Sequence, residues 1–181
     1  LVLTNKTLVF YGVGATINAQ GTNPVFEAQD SAHLRVVGVS LGAGGKSDLW
    51  IRDLKRGTQT RFTFDPSDDI WPIWSPRGDT IAYSTDRFGG YEVVFKPSSG
   101  LGEEARLTGL DGRTSGPISF SPDGGVLTFM TLGPGGDWDS YALRDRNGAQ
   151  LITVAASPYN EVAPRISPDG RFVVYASSES G

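Results

Sequence analysis

The sequence predicts an all-β fold: a β-propeller built from four-stranded blades, about four per chain. Three observations point there. A short turn recurs at a fixed interval, as Trp74-Ser75-Pro76-Arg77-Gly78, Phe120-Ser121-Pro122-Asp123-Gly124 and Ile166-Ser167-Pro168-Asp169-Gly170, each copy 46 residues after the last. Each copy is followed by an alternating apolar run: Thr80 to Ser84, Val126 to Met130, and Phe172 to Ala176. No stretch carries the three-to-four-residue apolar spacing of an amphipathic helix. A sheet of about 46 residues per repeat cannot bury both of its faces alone. Stacking copies radially buries them and leaves only short, protected edges.

Each element follows from its residues. In the second repeat, strand a covers about Ile70 to Ser75. Pro76 presets φ for the turn, and Gly78 accepts a positive φ. Strand b runs from Thr80 to Thr85. The Arg87-Phe88-Gly89-Gly90 loop leads into strand c, Tyr91 to Lys96, and Gly100-Leu101-Gly102 turns into strand d, Ala105 to Thr108. The third repeat has strand c at Ser140 to Leu143 and an Asn147-Gly148 hairpin turn. Upstream, Leu34 to Ser40 is a degenerate strand b whose preceding turn, Asp30-Ser31-Ala32-His33, has lost its Pro and Gly. Leu49 to Ile51 and Thr60 to Thr63 complete that first repeat as strands c and d. The blades are thus expected at 24–64, 68–108, 114–154 and, in part, 160–181. Trp74, Phe120 and Ile166 are expected to pack between neighbouring blades.

Composition narrows the function classes. The 181 residues carry 16 Lys and Arg against 20 Asp and Glu, a net charge of −4, so no basic patch is available for nucleic acid. No apolar run approaches the roughly 18–20 residues that span a bilayer. Without Cys there is no disulfide framework or thiol nucleophile, and the single His33 excludes any site needing several imidazoles from one chain. The 24 Gly and 11 Pro fit a turn-rich chain, and the 19 aromatic residues fit a packed core. The first residue is Leu1, which suggests a fragment or processed product. The compartment stays open, with a periplasmic or other extracytoplasmic location favoured over the cytoplasm.

Ser-Pro-Asp-Gly after a short strand, then a strand such as Ile81-Ala82-Tyr83-Ser84, then Asp48-Leu49-Trp50-Ile51-Arg52-Asp53-Leu54, resembles the TolB-type, WD-like propeller repeat. Asp48 to Trp74 and Asn160 to Gly181 are especially similar to the propellers appended to bacterial serine/threonine kinases and regulators. The resemblance covers about residues 24–181. It implies the propeller fold. It leaves function open among binding platforms, peptidase gates and enzymes.

In a propeller, the loops entering strand a and those between strands b and c surround the channel mouth. Reading the repeat in register places Asn23, Asp68, Thr114 and Asn160 before strand a, followed by Pro24, Asp69, Ser115 and Glu161. The b–c loops add Asp48, Asp86, Arg87, Asp137 and Asp139. Asp68, Asp69, Asn160 and Glu161 form the richest oxygen set. Such donors suit Ca²⁺, or Mg²⁺ if waters complete the shell, with Zn²⁺ or Mn²⁺ as weaker options. Propeller hydrolases of the phosphotriesterase and lactonase kind hold Ca²⁺ with similar residues. By that analogy Asp69 and Glu161 are the catalytic candidates. The competing reading is that these Asp and Asn residues cap strand ends and make Asx-turns. Ser75, Ser121 and Ser167 read as turn residues, and Arg52, Arg56 and Arg61 as solvated. Asp137-Trp138-Asp139 reads as a surface loop beside strand c.

Two functions follow as expectations. The first is an interaction module that binds a peptide, a protein or a small ligand at the channel mouth. The alternative is a metal-dependent hydrolase of phosphoesters, lactones or esters. The fourth repeat stops after strand b, while Thr7 to Tyr11 is a strand with no blade of its own. Residues 1–23 are therefore expected to complete the open blade, within one chain or, by preference, by strand exchange in a homodimer.

Overall fold

The computed structural model describes residues 46–107, 109–110, 112–144 and 150–179, together with the backbone of strands at 6–9, 16–19, 28–29 and 35–41. Asn23, His33, Asn5, the glycines at 12 and 14, and Asn147-Gly148 lie outside the described residues. The chain divides into two compact units, Leu1–Pro72 and Ile73–Gly181, with the boundary inside one strand. All sixteen described elements are strands.

In the first unit, β1 (Lys6–Val9) pairs antiparallel with β2 (Thr16–Ala19) as a two-stranded sheet. The first four-stranded blade follows in the order β3 (Ala28–Gln29), β4 (Arg35–Leu41), β5 (Ser47–Asp53) and β6 (Gln59–Arg61). The degenerate strand b is β4, so loss of its Pro-Gly turn did not cost the blade its central strand. The second blade is β7 (Asp69–Trp74), β8 (Thr80–Thr85), β9 (Glu92–Pro97) and β10 (Ala105–Arg106), hydrogen-bonded in that order. β10 is two residues long, shorter than the sequence suggested.

The second unit holds the second blade from Ile73 onward and the third blade: β11 (Ser115–Phe120), β12 (Val126–Leu132), β13 (Trp138–Arg144) and β14 (Gln150–Ala155). It ends in the two-stranded sheet of β15 (Glu161–Ile166) and β16 (Val173–Ser177). Its core joins consecutive blades: Ile73, Ala82, Val93 and Phe95 pack with Leu127, Phe129 and Leu143. Phe129 is fully buried and stacks on Tyr141, with ring centroids 5.9 Å apart. Burial of such a side chain contributes about 1.5–3 kcal/mol. Hydroxyls fasten strand to strand between blades. Ser84 Oγ donates to the Ser115 carbonyl at 2.7 Å, and Thr128 Oγ1 donates to the Pro164 carbonyl at 2.6 Å.

The recurring turn has one bonding scheme. Ser75, Ser121 and Ser167 each donate a backbone N–H to the carbonyl five residues on, at 2.9, 2.8 and 2.8 Å. The serine Oγ accepts the N–H of that same residue at 3.0, 2.8 and 3.0 Å. The turn glycine, at φ 68°, 74° and 72°, donates back to the serine carbonyl. Each serine Oγ also donates to an aspartate. Asp123 and Asp169 serve in two copies; where Arg77 replaces that residue, Asp79 takes over at 2.8 Å. The hydroxyl is committed to the turn, which explains why these serines recur. Successive turns lie side by side: a β-carbon built on Gly124 would stand 3.5 Å from Pro76 Cδ.

Strand a is bent at one repeat position. Trp71 and Ala163 both adopt left-handed backbone, at φ 53° and 55°. Pairing of β15 with β16 slips between Val162 and Arg165, and pairing of β11 with β12 slips between Pro117 and Ser119. Pro117 occupies the same repeat position but cannot take a positive φ, so its bulge forms with different torsions.

Candidate functional site

The residues expected at the mouth divide into those that fasten strands and those that carry unbalanced charge. Asp68 Oδ1 accepts the Ser47 N–H at 2.7 Å. Asn160 Oδ1 accepts the Trp138 N–H at 3.0 Å, and its own N–H donates to Ser178 Oγ at 3.0 Å. Both are the strand-capping acceptors of the competing reading. Ser115 is fully buried; its Oγ donates to the Arg113 carbonyl and bonds Thr131 Oγ1, while its N–H donates to the Tyr91 carbonyl at 2.6 Å. It rivets β11 in place. Asp69 is fully buried in β7.

Arg87 is held by Glu104, Nη1 to Oε2 at 2.8 Å. Glu104 also takes Lys96 Nζ at 3.0 Å and the Tyr83 hydroxyl at 3.2 Å. Burial works against ionisation of Glu104, but hydrogen bonds and charge from Lys96 and Arg87 outweigh it and hold its carboxyl below the usual range. Glu104 leads into β10, the sheet edge opposite β7, so Arg87 is bound toward that edge. The Asp86 carbonyl closes the loop by accepting the Gly89 N–H at 3.2 Å.

One sequence reading gains a partner and one needs correction. Arg61 is a strand residue with 38% of its side chain exposed, and its Nη2 also reaches both Asp48 carboxylate oxygens at 2.8 Å. Asp139 is not in a surface loop. It lies inside β13 at 8% exposure, because β13 begins at Trp138 and carries the carboxylate into the packed end of the sheet.

Asp139 lies within electrostatic range of Glu161 there. The Ser140 Oγ donates to the Glu161 carbonyl at 2.8 Å and fixes β13 against β15. Glu161 is 2% exposed and accepts hydrogen bonds from the Ser157 N–H and Ser157 Oγ. Burial raises the Asp139 pKa; the charges of Glu161 and Asp137 add to this, and Arg113 opposes them. No hydrogen bond or ion pair reaches the Asp139 carboxylate among the described residues. The motif spacing that located Glu161 gave no sign of this pairing, which depends on the β13 register.

Asp68, Asp69, Asn160 and Glu161 were the expected metal ligands. Among the described residues, no group of three or more His, Asp or Glu side chains is arranged to hold a metal ion. The metal-hydrolase alternative therefore draws no support from the described geometry.

Comparison with known proteins fixes the family. The TolB beta propeller domain matches residues 15–181. The chain belongs to the TolB β-propeller family. It is 29% identical over 166 residues to the uncharacterized peptidase YuxL of Bacillus subtilis, covering 73% of this chain and 25% of that protein. It is 26% identical over 139 residues to the Tol-Pal system protein TolB of Helicobacter pylori, covering 76% of this chain and 33% of that protein. The crystal structure of TolB from Acinetobacter baumannii superposes with a TM-score of 0.71 at 20% identity, over 93% of this chain and 41% of that one, which shows the fold. The chain thus spans well under half the length of these relatives. Among the described residues, no helix is long and apolar enough to cross a membrane.

Proposed function

We propose that the TolB-family propeller here is an interaction module that takes a peptide or protein partner at the end of the sheets formed by the d–a and b–c loops. The observation that carries this reading is the contrast between the two sheet ends. The Ser-Pro-x-Gly end spends its polar groups on its own turns. The opposite end holds exposed Tyr159 beside the Asp139–Glu161 carboxylates on a hydrogen-bonded frame. An aromatic group on a fixed loop next to charge is the composition of a binding hot spot. A small-molecule ligand would meet the same groups. An extracytoplasmic location belongs to the same reading, and cell fractionation tests it.

A photo-crosslinking amino acid at position 159, compared with one at position 77 in the opposite turn, tests the choice of end. One protein adduct from 159, competed by unlabelled chain, with none from 77, is expected. Adducts from 77 alone, or from neither, would contradict the proposal.

We also propose that the two-stranded sheets β1–β2 and β15–β16 complete one blade by exchange between two copies. Exposed Phe172, Val174 and Tyr175, and the β16 edge that pairs with no further strand among the described residues, support this. A dimer mass in light scattering is expected; a monomer at high concentration would reject it.

A further inference from the structure

The first two blades share an ion pair that has no counterpart among the described residues of the third. In the first blade, Ser40 pairs with Asp48, and Trp50, two residues on, pairs with Arg61. Asp48 and Arg61 then meet in a two-pronged bond. In the second blade, Thr85 pairs with Glu92 and Val94 with Arg106. Arg106 grips Glu92 through Nε at 2.6 Å and Nη2 at 2.7 Å, and its guanidinium lies 4.2 Å from the Phe88 ring centroid. In the third blade, Thr131 pairs with Asp139 and Tyr141 with Thr153. The carboxylate position is kept and the arginine position holds threonine.

The carboxylate left behind is poorly placed to stay unpaired. Asp139 is 8% exposed; the charges of Glu161 and Asp137 act against its ionisation, and that of Arg113 favours it without an ion pair between them. A buried charge without a partner is strongly unfavourable, and the sibling blades show which group this position accommodates.

We propose that Asp139, with Glu161 beside it, is the receptor for an arginine side chain of a partner protein, whose guanidinium takes the place that Arg61 and Arg106 occupy in the other blades. A planar guanidinium satisfies a carboxylate with two parallel N–H bonds, which an ammonium or a spherical ion does not. The inference deepens the interaction-module reading by naming the group the partner presents.

The test uses the whole chain and a probe that needs no partner. Methylguanidinium is titrated against the protein while the Asp139 carboxyl carbon is followed by NMR, with methylammonium and Ca²⁺ as comparisons. Saturable shifts at Asp139 and Glu161 are expected, tighter for methylguanidinium than for methylammonium, with the Asp139 titration moving to lower pH. Thr153→Arg should supply the missing arginine in cis, lower the Asp139 titration without probe, and weaken probe binding at least tenfold. Asp139→Asn should abolish binding, and Glu161→Gln should weaken it in a protein that keeps Asp139. A preference for Ca²⁺, no saturable shift, or unchanged binding in Thr153→Arg would overturn the assignment. Such a failure would leave crosslinking at position 159 unaffected, so the two readings fall separately.

Discussion

β12 and β16 carry the same strand-b pattern 46 residues apart, and their side chains meet opposite surroundings. Leu127 is 2% exposed and Phe129 fully buried, while their repeat equivalents Val173 and Tyr175 are 37% and 43% exposed. Thr128 is fully buried between blades, and Val174 is 69% exposed. The local sequence makes the strand in both cases. The neighbouring blade makes the core.

Substitution should break this comparison most visibly at the aromatic pair. Phe129→Ala is expected to lose about 3–5 kcal/mol in chemical denaturation, and Tyr175→Ala under about 1 kcal/mol. Equal losses would mean that β16 is covered in solution. A smaller effect is expected at the turn glycines. Gly124→Ala forces a side chain into left-handed backbone, at about 1–2 kcal/mol. Removing the turn hydroxyl should act more gently. Ser121→Ala leaves the Val126 N–H without its acceptor, for about 1 kcal/mol, and Ser167→Ala in the exposed last sheet should lose less.

The smallest effects are in pH dependence, and they carry opposite signs. The Ser121 hydroxyl, then the Gly125 N–H, hold Asp123 below the usual carboxylate range; Ser167 and the Arg171 N–H do the same for Asp169. Their stabilisation is complete above the unfolded value of about 3.9 and is lost as pH falls through the depressed folded value. Asp139 is shifted upward, so the folded state binds its proton more tightly. It opposes folding increasingly as pH rises from about 3.9 through that raised value. Asp139→Asn should therefore stabilise at pH 7 and lose that advantage in acid, whereas Asp123→Asn should destabilise at pH 7 and converge with the parent in acid. Melting curves across pH would read both.

Much of the fold was legible because the Ser-Pro-x-Gly turn is a local device. Its serine, glycine and aspartate bond to one another within five residues, so spacing alone placed the strands on either side. Asp68 and Asn160 were legible as strand-end acceptors from their repeat position, although the groups they accept from, Ser47 and Trp138, lie 21 and 22 residues away. Asp139 was not. Its burial depends on how β13 meets β15, and its missing partner is visible only when Arg61, Arg106 and Thr153 are compared in strand register. The substitution at 153 is written in the sequence, but the pairing that gives it meaning is not.

Site-resolved hydrogen exchange, at a concentration where light scattering gives a monomer, tests most directly whether the neighbouring blade sets stability. Amides of Leu127 to Thr131 should exchange at least about a hundredfold more slowly than those of Val173 to Ser177. Equal protection in the two strands would show that the repeat itself, and not the adjacent sheet, holds them in place.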